Sequence, residues 1–403
     1  MACRTARRRT CSGSTGSSRP SSCAASTHSP NDGGAASRLD ALYERIAERN
    51  ARALGYPAAK DFDCGDLLRF LAFPLNNVGD PFADATYQVE TREFEREVLS
   101  FFAALLRAPE DDWWGYVTNG GTEGNLYGLY LARELHQSAI VYYSESTHYS
   151  VAKNLHFLGM RHIMIRAQTN GEIDYDDLRE TLRIRRDVPP IVFANIGTTM
   201  TEARDDVAKI RGIMDSMAIR ERYIHADAAL SGAYLPFVSP RQAFDFADGA
   251  DSISISGHKF LGSPMPCGVV LARKRNVSRI ARSIDYIGSL DTTISGSRNG
   301  FTPLVLWQRI RSLGEAGLRK RAAGALELAA YAQEQLRAAG IPAWRNEPAI
   351  TVVFPRVSAD LRERWQLATD AGISHLIVMP GIEKPQIDAF VEDMRAANHR
   401  HLP

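Results

Sequence analysis

Metal-type Cys-x-x-Cys pairs, a long apolar run and a surplus of either charge are all missing from this 403-residue chain. With 48 Lys and Arg against 47 Asp and Glu its net charge is +1, so no global field draws it to nucleic acid or to an anionic membrane. No stretch approaches the roughly 18 apolar residues of a spanning helix. Cys3, Cys11, Cys23, Cys64 and Cys267 offer neither metal-ligand spacing nor a disulfide framework for a chain of this size. Free thiols in a cytoplasmic protein without a metal site are expected. Large apolar residues are almost absent before Ser37, where Arg, Ser, Thr, Gly and Ala dominate and Arg7-Arg8-Arg9 adds charge. Such a segment cannot bury enough to fold and lacks the apolar stretch of a secretory signal. Residues 1–37 are therefore expected to be a disordered tail or a mis-set start, not a transit sequence.

Over the whole chain 44% of residues are hydrophobic and 24% charged, enough apolar material for a large core. Leu39, Leu42, Ile46 and Leu54 predict an amphipathic helix from Arg38 to about Tyr56, with Ser37 as its cap, and residues 38–85 are read as an N-terminal helical segment. A second helical pattern runs from Tyr87 to Leu106. Seven short apolar runs then alternate with helix-length segments: Tyr116-Val117, Ile140 to Tyr143, Ile163 to Ile165, Ile191 to Phe193, Tyr223 to His225, Ser252 to Ile255 and Gly268 to Leu271. Helices are expected at Thr122 to His136, Tyr175 to Arg185 capped by Asp174, and Asp205 to Met217. The alternation predicts an α/β domain over 86–295 with a seven-stranded, mainly parallel sheet, whose ligand sits beyond the carboxyl ends of the strands. After Gly300 a long helical stretch (Thr302 to Ala339), two strand-like runs and a closing helix near Ile387 to Ala397 predict a smaller α+β domain, 296–403.

Every chemically suggestive motif falls at a strand end. Ser256-Gly257-His258-Lys259-Phe260-Leu261-Gly262 puts a lysine just beyond an apolar strand. A partly desolvated amine there loses its proton readily and condenses with an aldehyde to an imine, as in enzymes holding pyridoxal phosphate; taken alone, Lys259 reads equally as a solvated turn lysine. Asn119-Gly120-Gly121-Thr122-Glu123-Gly124-Asn125 leads from a strand into a helix. Its bare backbone N–H groups suit a phosphate dianion, and the alternative is a plain glycine turn with Thr122 as N-cap. Asp227, in Tyr223-Ile224-His225-Ala226-Asp227-Ala228-Ala229, needs a cationic partner: a protonated pyridine nitrogen, with small Ala229 leaving room for a flat ring, or an arginine. His148 follows the Tyr142-Tyr143 strand and could cover the ring's other face. Thr198, in Ile196-Gly197-Thr198-Thr199, offers a hydroxyl to the ring oxygen or a substrate carboxylate, and Ser256 and His258 flank the lysine at the phosphate.

In this order the motifs resemble the pyridoxal-phosphate-dependent group II amino-acid decarboxylases of the aspartate-aminotransferase-like fold (fold type I), from about Arg38 to Asp393. The likeness is strongest to bacterial histidine decarboxylases and plant serine decarboxylases, through Asn76 to Pro81, Tyr116 to Asn125, Thr147 to Val151, Asn195 to Thr199, His225 to Gly232, Ser256 to Cys267, Gly296 to Gly300 and Trp365 to Ala368. The resemblance implies that Lys259 forms the imine with the cofactor, Asp227 pairs with its ring nitrogen, His148 stacks on it, and Gly121, Thr122, Ser256 and His258 surround the phosphate. It also implies a homodimer with active sites at the subunit interface. Tyr286, in Ile284-Asp285-Tyr286-Ile287-Gly288, is the candidate donor of the proton that replaces CO2.

The expected reaction is α-decarboxylation of an L-amino acid, with histidine to histamine favoured by His225 to Gly232. Two departures leave valine or another aliphatic substrate, or serine, open: Phe301 stands where relatives show His in Asn-Gly-His, and Ala349-Ile350 where they show a serine. If these face the substrate, they remove hydrogen-bond partners. An aminotransferase would use the same lysine and aspartate, and a catalytically inert member of the fold would be an assembly partner.

Overall fold

A computed structural model of the chain describes residues 32–284 and 289–399. It divides into two units, Met1–Asn50 and Ala51–Pro403. The described part of the first lies within helix α1 (Asp32–Arg52). That helix begins before the expected cap, and Ser37 lies inside it: Ala35-Ala36, good helix formers, propagate it. The tail reading is corrected for 32–37, and residues 1–31 lie outside the described residues.

In the second unit, α2 (Arg92–Leu105) starts five residues later than the pattern from Tyr87 suggests. Residues before it are held otherwise: Asn76 N–H donates to the Val89 carbonyl (3.0 Å), and Thr91 N–H to Asn77 Oδ1 (2.8 Å). The alternation that follows is β1 (Trp114–Thr118), α3 (Gly121–Leu135), β2 (Ile140–Ser144), α4 (Ser150–Leu158), β3 (His162–Ile165), α5 (Tyr175–Ile184), β4 (Pro190–Asn195), α6 (Val207–Ser216), β5 (Tyr223–Asp227), β6 (Ser252–Ser256) and β7 (Gly268–Ala272). Asp174 caps α5 as expected, accepting from the N–H groups of Asp176 and Asp177 at 3.0 Å each.

All seven expected strands join one sheet in the order β1-β7-β6-β5-β4-β2-β3, and only β7 runs against its neighbours. Alternation explains its burial on both faces. Ile191 and Phe193 pack with Tyr127 and Leu131 of α3 on one side, while Val192 and Ala194 pack with Val207 and Ile210 of α6 on the other. Each of the Val, Leu, Ile and Phe side chains among them contributes about 1.5–3 kcal/mol by leaving water.

After the short α7 (Lys274–Val277) and the ribbon β8 (Arg282–Ile284) and β9 (Ser289–Asp291), α8 runs from Phe301 to Ala338. It is broken at Gly314 (φ 58°, ψ −178°), a conformation open mainly to glycine. Next come β10 (Thr351–Pro355), α9 (Ala359–Trp365), β11 (Ala368–Asp370), β12 (Ile373–Ile377) and α10 (Lys384–His399). The antiparallel sheet β10-β12-β11 packs on α10 through Phe354 and Phe390, 5.6 Å apart at their ring centres. This is the smaller α+β region, with β11 an addition to the expected strands. Because β1, β2, β4, β5 and β6 are parallel, Thr118, Ser144, Asn195, Asp227 and Ser256 end on one edge, and the candidate residues follow them.

Candidate active site

The glycine turn after β1 carries α3 against the ends of β5 and β6. No side chain caps α3, and Gly120 there has φ 134°. A Cβ at Gly121 would lie 2.7 Å from Ser256 Oγ and 3.1 Å from the Ala229 methyl; one at Gly120 would lie 3.7 Å from His258 Cε1. Glycine is thus required where the helix start, Ser256, His258 and Ala229 crowd together. His258 is oriented by its Nδ1, 2.8 Å from the Cys267 carbonyl. An uncapped helix start with exposed Thr122, a buried serine hydroxyl and an imidazole make a cradle fitted to a phosphate.

Asp227, at the end of β5, is 8% exposed, and its oxygens accept from Asn125 Nδ2 (2.8 Å) and Ala229 N–H (3.1 Å). Behind it, His225 Nε2 lies 3.0 Å from Asn125 Oδ1, and its Nδ1 2.7 Å from Ser252 Oγ. An ionised carboxylate only accepts, which sets the direction of the whole chain: Ser252 donates to His225, His225 to Asn125, Asn125 to Asp227. Burial pushes the imidazole of His225 down to about 3, so it is neutral and holds this tautomer. The direct partners of the carboxylate are polar and uncharged, an arrangement that a cation such as a protonated pyridine would complete.

Lys259 sits in the turn Gly257–Gly262 after β6, where its own backbone (φ −79°, ψ −111°) departs from helical values. Arg321 Nε donates to the Phe260 carbonyl at 3.1 Å and Arg309 Nε to the Leu261 carbonyl at 3.2 Å, holding the turn from α8. Burial draws the lysine's pKa down from its ordinary value, with the charges of Asp227 and Glu202 opposing. The amine is therefore closer to its nucleophilic, uncharged form than a surface lysine. Half-buried His148, after β2, is also lowered by burial first, against the pull of Asp227 and with the push of Lys259 and Lys153. Its Nδ1 lies 2.8 Å from Ser150 Oγ. A neutral, flat imidazole results.

Strand ends thus bring together Lys259, Asp227, His148, Gly120, Gly121, Thr122, Ala229, Ser256 and His258. Thr198 is different: its Oγ1 accepts from Ala203 N–H (3.0 Å) and lies 3.0 Å from Thr201 Oγ1, so its hydroxyl is engaged within its own turn. Tyr286 lies outside the described residues. Two contributors that the motifs did not single out were accessible to strand and helix periodicity: His225 shares a face of β5 with Asp227, and Asn125 stands one turn beyond Gly121. Glu202 was not. Fully buried, in left-handed backbone (φ 53°), its carboxylate accepts from the Tyr234 hydroxyl, from Ser231 Oγ (3.2 Å), and from the N–H groups of Ile350 (3.1 Å) and Thr351 (2.8 Å). It joins the turn after β4 to the start of β10. The substitutions Phe301 and Ala349-Ile350 are explained by packing: Phe301 buries with Leu67, Leu304 and Val305, and Ala349 and Ile350 are fully buried.

The pyridoxal-dependent decarboxylase conserved domain matches residues 84–356. Histidine decarboxylase of Mesorhizobium japonicum is 53% identical over 361 residues, covering 90% of this chain and 98% of that protein. That of Morganella morganii is 46% identical over 367 residues, covering 90% and 97%. Among solved structures, L-methionine decarboxylase from Streptomyces sp. 590 superposes with a TM-score of 0.85 at 27% identity, covering 91% of this chain and 95% of that one. Glutamate decarboxylase of Lactobacillus brevis shares the fold at 18% identity, with a TM-score of 0.75 over 94% and 92%. The chain therefore belongs to the pyridoxal-dependent decarboxylase family.

Proposed function

We propose that the protein converts L-histidine to histamine and CO2. The observation that carries the reading is the meeting of Lys259, Asp227 and the Gly120-Gly121 cradle at one sheet edge, in a chain 53% identical to a histidine decarboxylase over nearly its full length. The packed surroundings of Phe301 and Ile350 remove the reason to prefer an aliphatic substrate.

Pyridoxal phosphate, when bound, supplies an aldehyde that captures the amino group and an electron-withdrawing ring for the charge left at Cα. The residues do the rest. The start of α3, Thr122, Ser256 and His258 would hold the phosphate. Asp227, aimed by Asn125, would pair with the ring nitrogen and favour its protonated form. His148 would stack on one face of the ring and help orient the scissile carboxylate for loss of CO2. Lys259, its amine biased by burial toward the uncharged form, would hold the cofactor through that nitrogen. Tyr286 is the proposed proton donor to Cα.

We further propose a homodimer with active sites at its interface, acting in the cytoplasm; the free thiols of Cys64 and Cys267 suit a reducing compartment. Among the described residues no helix is long and apolar enough to cross a membrane. The test is CO2 release from a panel of histidine, serine, valine, leucine, methionine and tryptophan by wild type and Lys259→Ala. Histidine should be preferred and the variant silent; faster release from another amino acid would overturn the substrate, and an active variant the lysine.

A further inference from the structure

At the opposite edge of the sheet from the cradle lies a cavity of about 530 Å³. Tyr223, the first residue of β5, lines it, whereas Asp227, the last, belongs to the active site; four strand steps of about 3.3 Å separate them, roughly 13 Å. Six arginines line this cavity: Arg211, Arg220, Arg222, Arg273, Arg275 and Arg279. The carboxylates in the same wall are two, Glu221 and Asp251, and His136 adds an imidazole that burial keeps from charging.

Ion pairs account for half of the arginines. Arg222 meets Asp215 at 2.6 Å, Arg275 meets Asp112 at 3.0 Å, and Arg273 lies 3.7 Å from both Asp112 and Asp251. Among the described residues no carboxylate lies within 4.0 Å of Arg211, Arg220 or Arg279. Six cations against Glu221, Asp251, Asp112 and Asp215 leave an excess of two, on a molecule whose total net charge is only +1. Crowded like charges repel unless an anion joins them, and guanidinium forks match oxyanions with paired hydrogen bonds.

We propose that this cavity binds a small multivalent oxyanion, a phosphate chain or a polycarboxylate. Its volume falls within the range of small-molecule sites, about 300–1,000 Å³. Tyr223 is 1% exposed, so its ring is not open for a nucleobase to stack on, and the half-buried imidazole of His136 is the other ring of the lining.

The experiment uses holoenzyme saturated with pyridoxal phosphate, whose own phosphate cradle is filled. It is titrated calorimetrically with pyrophosphate and, separately, with citrate, at a constant ionic strength of about 0.15 M. One saturable site per chain with a Kd below about 1 mM is expected for at least one of them. Arg220 and Arg279 are exposed and free of ion pairs, so Arg220→Ala/Arg279→Ala should fold and keep its activity while binding weakens at least about tenfold, and Arg211→Gln should weaken it independently. Binding of pyrophosphate alone identifies a phosphate chain, of citrate alone a polycarboxylate, and of both the shared chemistry. No saturable binding of either up to about 10 mM, or unaltered binding in both arginine variants, would overturn the proposal.

Discussion

His225 contributes to the site without touching a ligand, and its chemistry can be measured. Its folded pKa, about 3, lies below the unfolded value of about 6.5, so between these the unfolded chain holds a proton that the native chain lacks. Stability is fully present above pH 6.5 and is lost as pH falls toward 3. In His225→Gln the slope of unfolding free energy against pH over 4–6 should be shallower than in wild type by about 1.4 kcal/mol per pH unit, measured by urea titration. Equal slopes would contradict a neutral buried imidazole. Lys259, Asp227 and His148 were legible because a charged or ionisable residue directly after an apolar strand is conspicuous. Glu202 was not, since Thr201-Glu202-Ala203 reads like any polar turn and its partners at Ile350 and Thr351 lie 148 and 149 residues away.

Helix α3 turns a row of glycines toward the site. Gly121 faces Ser256 and Ala229, Gly124 faces Ser254, and Gly128 faces His225; a Cβ at Gly124 or Gly128 would overlap the opposing side chain. The ring of His225 is fixed at both nitrogens and cannot give way. Gly128→Ala should therefore cost about 1–3 kcal/mol in thermal or urea unfolding and lower turnover, because the helix that carries the cradle must shift. Helix α8 offers a contrast of sign. Gly314→Ala, at positive φ, should destabilise by about 1–3 kcal/mol, whereas Gly324→Ala, in regular helix with nothing within 4 Å of the added methyl, should stabilise by about 0.5–1 kcal/mol. Strand positions were readable because apolar residues ran together. The break at Gly314 was not, since a lone glycine in a helical pattern is equally compatible with an unbroken helix.

Of the whole molecule, the layered α/β plan and the smaller α+β region follow from the order of periodic segments. What a single chain's pattern leaves out is its partners. Sedimentation of the holoenzyme should give about 89 kDa, twice the chain mass of 44.6 kDa, and Lys259→Ala should give the same, since the change removes an amine and no packing. A species of single-chain mass at micromolar concentration would refute the dimer.

The one-way run of donors from Ser252 through His225 and Asn125 to Asp227 has a spectroscopic corollary. The Nε2 proton of His225 is sealed in the interior, and whatever changes the charge state of Asp227 must alter its shielding through a single intervening amide. A nitrogen-15 label in that ring would make residue 225 a built-in gauge of cofactor loading, readable by magnetic resonance with no probe attached to the catalytic groups.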